Sequence, residues 1–392
     1  MNQVAFIPQA RTLMGPGPSD VHPEILTAMA RPTIGHLDPQ FIQLMDDIKH
    51  KLQWAFQTKN ALTLPISAPG SAGMEACFAN LVSPGDQVLV CQNGVFGGRM
   101  AENVMRFGGE VVLLQSEWGR AIDPAQVEAT LKDHPKVKLV AFVHAETSTG
   151  VASDAKAICS IAAKAGCLTI VDCVTSLAGI EVALDNWGAD AAYSGTQKCL
   201  SCAPGLSPLS MSERAIEAIK ARSHPVASWF LDMNLVMGYW GENTTRAYHH
   251  TAPVNALYGL HQSLSLLQQE GLEASWRRHA MHHQALKAGL EALGLRFVVP
   301  ENERLPQLNL VSVPDGVDEA LVRQRLLSEF NLEIGAGLGV FAGKVWRIGL
   351  MGYASRRENV LLCVSALESV LADMGAPVTQ GVALPATMEA FG

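Results

Sequence analysis

Short apolar runs alternate with helix-like patterns between about residue 20 and residue 265. The runs are brief and mostly apolar, and they lie at residues 87–91 (QVLVC), 110–114 (EVVLL), 138–143 (KLVAFV) and 168–171 (LTIV). Segments with helical spacing lie beside them, at residues 71–81, 99–107, 124–132 and 155–165. Apolar strands that alternate with helices indicate a mainly parallel sheet covered on both faces. We therefore predict an α/β fold.

A smaller region follows a long helical stretch at residues 253–293, which is broken near Gly271. This region combines strand and helix patterns, at residues 308–313, 318–330, 344–348 and 357–374. Near the start of the chain, GPGPS at residues 15–19 is incompatible with a helix interior. The pattern predicts an N-terminal arm, a large domain and a small α+β C-terminal domain, over residues 1–22, 23–267 and 268–392.

Composition narrows the class of protein. A chain of 392 residues with 48% hydrophobic and 17% charged residues can bury two sizeable cores. The net charge of −8, without a basic run, argues against nucleic-acid binding. No apolar run reaches the roughly 18–20 residues of a membrane span, and the N-terminal sequence lacks the features of a secretory signal. Eight cysteines without framework spacing indicate reduced thiols, so we expect a cytoplasmic protein that is not in a membrane.

One lysine stands in a setting that suits covalent chemistry. The apolar pair Ala191 and Ala192 leads into the small, polar segment SGTQK, which ends at Lys198. Schiff-base chemistry needs an amine that can lose its proton and move, and a turn of small residues gives it room. Taken alone, a lysine in such a turn is far more often an ordinary surface lysine.

Two further features support the reactive interpretation. Asp172 ends the strand pattern LTIV, and ligands of open α/β sheets bind at the carboxyl ends of strands. A carboxylate there can keep a pyridine nitrogen protonated, although an Asp that caps the segment at Thr175 and Ser176 is the competing interpretation. The small residues at 67–75 open a predicted helix, and a helix N-terminus suits a phosphate.

The chain resembles class V aminotransferases of the alanine–glyoxylate (serine–pyruvate) group nearly from end to end. The motifs that carry the resemblance are GPGPS at 15–19, HAETSTG at 144–150, SGTQK at 194–198, YHHT at 248–251 and GKVWRIG at 343–349. The resemblance implies fold type I of the pyridoxal 5'-phosphate (PLP) transferases, with a mainly parallel sheet of seven strands. It also implies a ping-pong reaction between small amino acids and 2-oxo acids, in a homodimer with shared active sites.

The resemblance also implies roles for residues that match its motifs. Lys198 matches the lysine that holds PLP as a Schiff base, and Asp172 matches the partner of the pyridine nitrogen. Phe96 would stack on the cofactor ring, and Thr147 would lie near its phenolic oxygen. The phosphate loop would be formed by Gly70, Ser71 and Ala72, and Gln197 would make a second phosphate contact. Relatives often have Trp or Tyr in place of Phe96, and Pro69 removes one N–H donor from the phosphate loop.

Other matches concern the substrate and the partner subunit. Arg347 matches the arginine that binds the substrate α-carboxylate, where a planar guanidinium can form two parallel bonds. Gly17, His36 and Thr147 are expected beside the substrate. Tyr248 and Thr251 match residues that contact the phosphate in the neighbouring subunit.

The acceptor and donor stay open at this point. Glyoxylate is the expected acceptor and alanine or serine the expected donor, with a ureidoglycine–glyoxylate aminotransferase as the alternative. That branch tends to carry Gln where this chain has His36, and Asn where it has Tyr248, which favours the alanine or serine type. A desulfurase or lyase is disfavoured because residues 315–350 contain no cysteine. A non-catalytic PLP-binding protein would be expected to lose Lys198 or Arg347.

Several other side chains have an ordinary structural interpretation. Cys199 and Cys202 form a C-x-x-C but lack a second ligand pair for zinc, so we predict packed thiols. The histidines of the helix pattern at 272–293 are predicted to form a solvated face rather than a metal site; they are His279, His282 and His283. Trp346 should point away from Arg347 into the core, because side chains alternate along a strand.

Overall fold

The computed structural model describes residues 5–241 and 246–392 of the chain. Its strands, numbered along the chain, are β1 (Thr12–Leu13), β2 (Leu62–Ile66), β3 (Gln87–Gln92), β4 (Glu110–Gln115), β5 (Val137–Val143), β6 (Ala145–Glu146), β7 (Val151–Ala152), β8 (Leu168–Asp172), β9 (Ala191–Tyr193), β10 (Ser207–Met211), β11 (Leu308–Ser312), β12 (Leu332–Glu333), β13 (Gly335–Ala336) and β14 (Val345–Gly349).

The α-helices are α1 (Pro23–Met29), α2 (Pro39–Phe56), α3 (Gly70–Leu81), α4 (Val95–Arg106), α5 (Pro124–Asp133), α6 (Ala155–Lys164), α7 (Leu184–Trp187), α8 (Glu213–Lys220), α9 (Met233–Trp240), α10 (Val254–Glu270), α11 (Leu272–Ala292), α12 (Glu319–Phe330), α13 (Arg357–Asp373) and α14 (Ala383–Phe391). Helices therefore alternate with the strands of the first half of the chain, as the apolar pattern predicts.

A seven-stranded sheet organises the larger part of the chain. Its strand order is β2-β10-β9-β8-β5-β3-β4, and only β10 runs antiparallel to its neighbours. The central strands are buried almost throughout, as a sheet covered on both faces requires. The predictions of an α/β fold and of a mainly parallel sheet of seven strands are confirmed.

The C-terminal part contains a second sheet and a second core. Strands β11, β14 and β13 form an antiparallel sheet, and the apolar cluster beneath it includes Trp346 and residues of α11, α12 and α13. The long helical stretch is broken at Gly271, whose φ of 87° suits glycine. The predicted boundary between residues 267 and 268 falls in the last turn of α10 and stays a prediction.

The N-terminal segment is tied to the C-terminal part. Strand β1 pairs in parallel with β12, and the N–H of Gly349 donates to the carbonyl oxygen of Met14 at 2.6 Å. Residues 5–10 before it are exposed. This path carries the GPGPS segment from the second sheet toward the carboxyl ends of β8 and β9. Among the described helices, none combines the length and apolar content that crossing a lipid bilayer requires.

The prediction of a solvated histidine face on α11 is wrong. His279, His282 and His283 are only 0%, 4% and 6% exposed, because α10, α13 and α14 all pack against this helix. The N–H of Gly352 donates to Nε2 of His279 at 2.9 Å, and Nδ1 of His283 lies 2.6 Å from Oδ1 of Asn309. Burial lowers the pKa of His279 to about 3 and that of His282 to about 4. These histidines are hydrogen-bonded core residues, and burial disfavours their charged form.

Candidate active site

Lys198 lies in the turn that follows β9, and it is buried. Its side chain is 8% exposed, and Nζ donates a hydrogen bond to the carbonyl oxygen of Pro16. Burial is the main cause that lowers the pKa of the amine to about 8, and the charge of Arg347 lowers it further. A Cβ added at Gly17 would lie 2.5 Å from Nζ, and the φ of Gly17 is 100°, so this position requires glycine. The surface-lysine interpretation is wrong for Lys198.

Asp172 lies at the carboxyl end of β8, next to the end of β9. It is 2% exposed, and its Oδ2 accepts a 2.7 Å hydrogen bond from the hydroxyl of Tyr193. Its Oδ1 accepts from the N–H of Val174 at 2.8 Å, which is a local turn contact. Burial is the main cause that raises the pKa of the carboxyl, these hydrogen bonds and the charge of Lys198 oppose it, and the net value is about 7. A carboxyl of this kind becomes a stable anion when a cation faces it.

The predicted phosphate loop leads into α3. Gly70 begins the helix directly after Pro69, and a Cβ on Gly70 would lie 3.3 Å from Val174 and 3.4 Å from the carbonyl oxygen of Ser194. The helix start is therefore packed closely against the lysine turn. The N–H of Ala72 donates to the carbonyl oxygen of Pro69 at 2.8 Å, so that donor already has an acceptor.

One cavity of about 200 Å³ brings most of the predicted cofactor residues together. Its lining includes six of them, namely Gly70, Ser71, Phe96, Asp172, Gln197 and Lys198. The buried Oε1 of Gln197 has no hydrogen-bond partner among the described residues. An amine, a carboxylate, an aromatic ring and a helix N-terminus therefore surround one space.

Arg347 and Thr147 lie beside this cavity rather than in its described lining. Arg347, on β14, is 8% exposed; its Nε donates to the carbonyl oxygen of Ala336 at 2.6 Å and Nη1 to that of Thr147 at 3.3 Å. Burial lowers the pKa of the guanidinium to about 10, which still leaves it charged near neutral pH. Thr147 Oγ1 lies 2.5 Å from Thr175 Oγ1. On the opposite side of β14, Trp346 is fully buried, so its predicted core position is confirmed.

His36, Tyr248 and Thr251 lie together elsewhere on the chain. The rings of His36 and Tyr248 are 5.2 Å apart, and the hydroxyls of Tyr248 and Thr251 are 3.4 Å apart. Tyr248 is 62% exposed, and none of the three belongs to the described lining of the cavity. The predicted place of His36 beside the substrate and the predicted phosphate contacts of Tyr248 and Thr251 in the neighbouring subunit stay predictions.

The neighbouring histidines and thiols have structural partners. His250 Nε2 lies 2.7 Å from Ser67 Oγ, and His250 Nδ1 lies 2.8 Å from His249 Nδ1. Cys199 and Cys202 are 4% and 2% exposed, so their prediction as packed thiols is confirmed. In residues 5–241 and 246–392, no three His, Cys, Asp or Glu side chains come together as a metal site would require.

Two residues without a predicted role hold parts of the site in place through hydrogen bonds. Tyr193 is the last residue of β9 and bonds Asp172, and its signal was its place as the strand residue next to the polar turn. Glu146 lies in the quoted HAETSTG motif without an assigned role. Its carboxylate is fully buried, and its Oε2 accepts from the N–H of Phe96 at 3.2 Å.

Comparison with known proteins identifies the family. The Aminotransferase class-V family matches residues 22–360. An alanine–glyoxylate aminotransferase of Drosophila melanogaster is 39% identical, with 93% of each chain covered. The crystal structure of a ureidoglycine–glyoxylate aminotransferase from Bacillus subtilis matches with a TM-score of 0.96 and 40% identity, covering 98% of this chain and 99% of that one.

A third similar protein is an alanine–glyoxylate aminotransferase from Nostoc sp., whose crystal structure matches with a TM-score of 0.92 and 46% identity. The match covers 95% of this chain and 98% of the Nostoc chain. The expected fold and the expected PLP-dependent transaminase activity are thereby confirmed. The chain belongs to the class V aminotransferase family.

Proposed function

We propose that this transaminase transfers the amino group of alanine or serine to glyoxylate in two half-reactions, with PLP as the carrier. The observation that carries the proposal is that Lys198, Asp172 and the N-terminal end of α3 border one cavity of about 200 Å³. The positive charge of Arg347 acts on Lys198 from the adjacent sheet. The amine of Lys198 and the guanidinium of Arg347, which can bind a carboxylate, are therefore placed to act on one small substrate.

The cavity suits PLP on chemical grounds. Lys198 offers an amine for the aldehyde, Asp172 a carboxylate for the pyridine nitrogen, Phe96 a ring for one face, and the start of α3 a site for the phosphate. Gly17 keeps open the space beside the amine. When bound, PLP supplies an aldehyde that exchanges amines and a protonated ring that accepts the electrons of the Cα–H bond.

Lys198 is the group that moves protons in this proposal. With a pKa of about 8, its amine is partly unprotonated near neutral pH and can accept a proton from the Cα of the amino acid at Nζ. An exposed lysine, with an ordinary pKa of 10.5, would hold its proton too tightly for this work. Burial of the amine is thus part of its function.

In this proposal Asp172 binds the pyridine nitrogen of the cofactor, and Arg347 binds the carboxylate of the substrate. Tyr193 and Val174 both donate to Asp172, so the carboxylate is oriented and suited to keep a proton on the pyridine nitrogen. Arg347 is fixed by two backbone carbonyl groups and would bind the carboxylate that every α-amino acid and 2-oxo acid shares. Fixing that carboxylate would hold the Cα–H bond in the orientation from which its electrons can pass into the ring.

A ureidoglycine donor is the second candidate, because the Bacillus subtilis enzyme matches over 98% of this chain. The pair of His36 and Tyr248 favours alanine or serine: an imidazole and a phenol lie 5.2 Å apart where the resemblance implies Gln and Asn in the ureidoglycine branch. We also propose a homodimer, in which the exposed Tyr248 and the neighbouring Thr251 complete the partner's site. The cytoplasm is the proposed compartment, because all eight cysteines are free.

Half-reaction spectra test the choice of substrate. The purified holoenzyme is mixed with alanine, serine or ureidoglycine, and the loss of the cofactor's visible absorbance is followed. Glyoxylate is then added, and the absorbance should return. We expect fast loss with alanine or serine. Fast loss with ureidoglycine alone would replace the proposed donor with the second candidate.

A further inference from the structure

The first turn of α4 has no cap of its own. Gly94 precedes the helix, and glycine has no side chain to accept the N–H groups that a helix start leaves free. The same turn carries Phe96, whose ring lines the cavity next to Lys198 and Asp172. Whatever holds this turn therefore sets the position of the ring.

Glu146 and Ser148 supply the missing acceptors from β6 and the loop after it. The N–H of Val95 donates to Ser148 Oγ at 2.9 Å, and the N–H of Phe96 donates to Glu146 Oε2 at 3.2 Å. Two consecutive donors of α4, the N–H groups of Val95 and Phe96, are thus bound by a segment about fifty residues further along the chain.

The carboxylate of Glu146 is itself fixed. Its Oε1 accepts from the N–H of Ser148 at 3.0 Å and from Ser148 Oγ at 2.6 Å. Burial raises the pKa of Glu146, but every one of these recorded partners is a donor and opposes that rise, and negative charge at a helix N-terminus is favourable. Glu146 is 0% exposed, so water cannot replace these contacts.

Gly94 gives independent evidence that the backbone is shaped around this carboxylate. A Cβ at Gly94 would lie 2.4 Å from Cδ of Glu146 and 2.4 Å from Oγ of Ser148. The φ of Gly94 is 179°, which any residue can adopt, so the need for glycine here is one of space. The helix start and the carboxylate can meet only because Gly94 has no side chain.

We infer that Glu146 is a positioning residue that acts through the first turn of α4 and holds the ring of Phe96 against the face of the cofactor. The inference rests on the proposed PLP site. It assigns Glu146 no contact with substrate or cofactor. A merely structural cap would change the stability of the protein without changing how Phe96 contributes to cofactor binding.

Glu146→Gln tests the inference. The amide has one acceptor oxygen, so it cannot serve both Ser148 and the N–H groups of α4, and the ring should lose its fixed position. We expect the affinity of the cofactor-free protein for PLP to fall about three- to tenfold, the scale of one aromatic contact. The circular dichroism of the bound cofactor should also change. Asp123→Ala is the matched control. Asp123 caps α5, since its Oδ1 accepts a hydrogen bond from the N–H of Ala125 at 2.9 Å, and the variant removes this cap. It should leave PLP affinity unchanged.

A double-mutant cycle with Phe96→Leu decides whether Glu146 acts through the ring. With Phe96→Leu present, Glu146→Gln should weaken PLP binding by less than twofold further. Full additivity of the two losses, or an unchanged affinity of Glu146→Gln, would overturn the inference. Gly94→Ala should weaken PLP binding in the same way as Glu146→Gln. It replaces Glu146→Gln in the double-mutant cycle if that variant does not fold. A wild-type protein that fails to bind PLP would instead contradict the proposed function.

Discussion

The hydroxyl of Tyr193 donates a 2.7 Å hydrogen bond to Oδ2 of Asp172, and the two residues are register partners at the ends of the parallel strands β9 and β8. Both are buried; burial raises the pKa of the carboxyl, this bond lowers it, and the net value is about 7. The tyrosine therefore orients Asp172 and favours its ionised form, which a facing cation would stabilise further.

Substitutions of this pair should separate charge from orientation. Asp172→Asn should lower turnover by orders of magnitude while leaving folding and much of PLP binding intact, because a neutral amide cannot hold the pyridine nitrogen charged. Tyr193→Phe should lower turnover by about tenfold, on the scale of one hydrogen bond to a charged group. It should also raise the pKa of Asp172, so its defect should be larger at acidic pH. Stopped-flow half-reactions across pH measure this, and a near wild-type rate for Asp172→Asn would leave Asp172 only a turn cap.

Removal of the amine should stop the reaction. Lys198→Ala is expected to abolish turnover and the visible absorbance of the bound cofactor, because no other amine borders the described cavity. Lys138→Ala, an exposed lysine on β5, is the control and should behave as wild type. Borohydride reduction of the intact holoenzyme should attach the cofactor to Lys198. A label on another lysine would refute the assignment.

Uptake of PLP should depend on pH through the same amine. Only the unprotonated amine attacks the aldehyde, and burial lowers the pKa of Lys198 from 10.5 to about 8. The rate of uptake by cofactor-free protein should therefore rise with pH up to about 8 and change little above it. The reaction of PLP with N-acetyl-lysine corrects for titration of PLP itself. A protein rate that continues to rise toward pH 10.5 would show an amine of ordinary pKa.

Arg347→Lys should damage both half-reactions equally. The variant keeps the charge but loses the planar fork and the bonds to Ala336 and Thr147. We expect kcat/KM for donor and acceptor each to fall by at least about tenfold, or about 1.4 kcal/mol, with PLP affinity nearly unchanged. Arg214→Lys, on α8, is the control. An effect on one half-reaction alone would contradict a shared carboxylate site.

Subunit complementation should reveal whether active sites are shared. Lys198→Ala and the double variant Tyr248→Ala, Thr251→Ala should each be nearly inactive as homodimers. If Tyr248 and Thr251 serve the neighbouring subunit, a mixed dimer contains one site in which every residue is wild type, so mixing should restore activity. Activity that stays absent in verified mixed dimers, or a fully active monomer, would contradict the proposal.

Much of this site could be predicted because it follows from local rules. The apolar runs predicted the strands of the sheet. Asp172 ends one of these strands and Lys198 follows another, and the carboxyl ends of the two strands lie at one edge of the sheet. Because side chains alternate along a strand, the sequence predicted that Arg347 and Trp346 point to opposite faces of the sheet. These signals need only a few neighbouring residues.

The remaining features depend on contacts between distant segments. The bond between Tyr193 and Asp172 requires the register of two strands, and the cap of α4 by Glu146 joins segments fifty residues apart. The histidines of α11 resemble a polar face until three other helices cover them. Spacing along one element cannot show which partners it will meet.

The N-terminal segment links the start of the chain to both sheets. Met14 accepts a hydrogen bond from the strand that carries Arg347, Pro16 accepts one from Lys198, and the N–H of Ser19 donates to the carbonyl oxygen of Gln197 at 3.0 Å. A protease that trims the exposed residues 5–10 leaves all three contacts in place. A deletion that extends past Ser19 would remove the contacts on both sheets together and would also take the buried Met14 out of the apolar cluster of the C-terminal part, so the loss of a short terminal segment can disable the site.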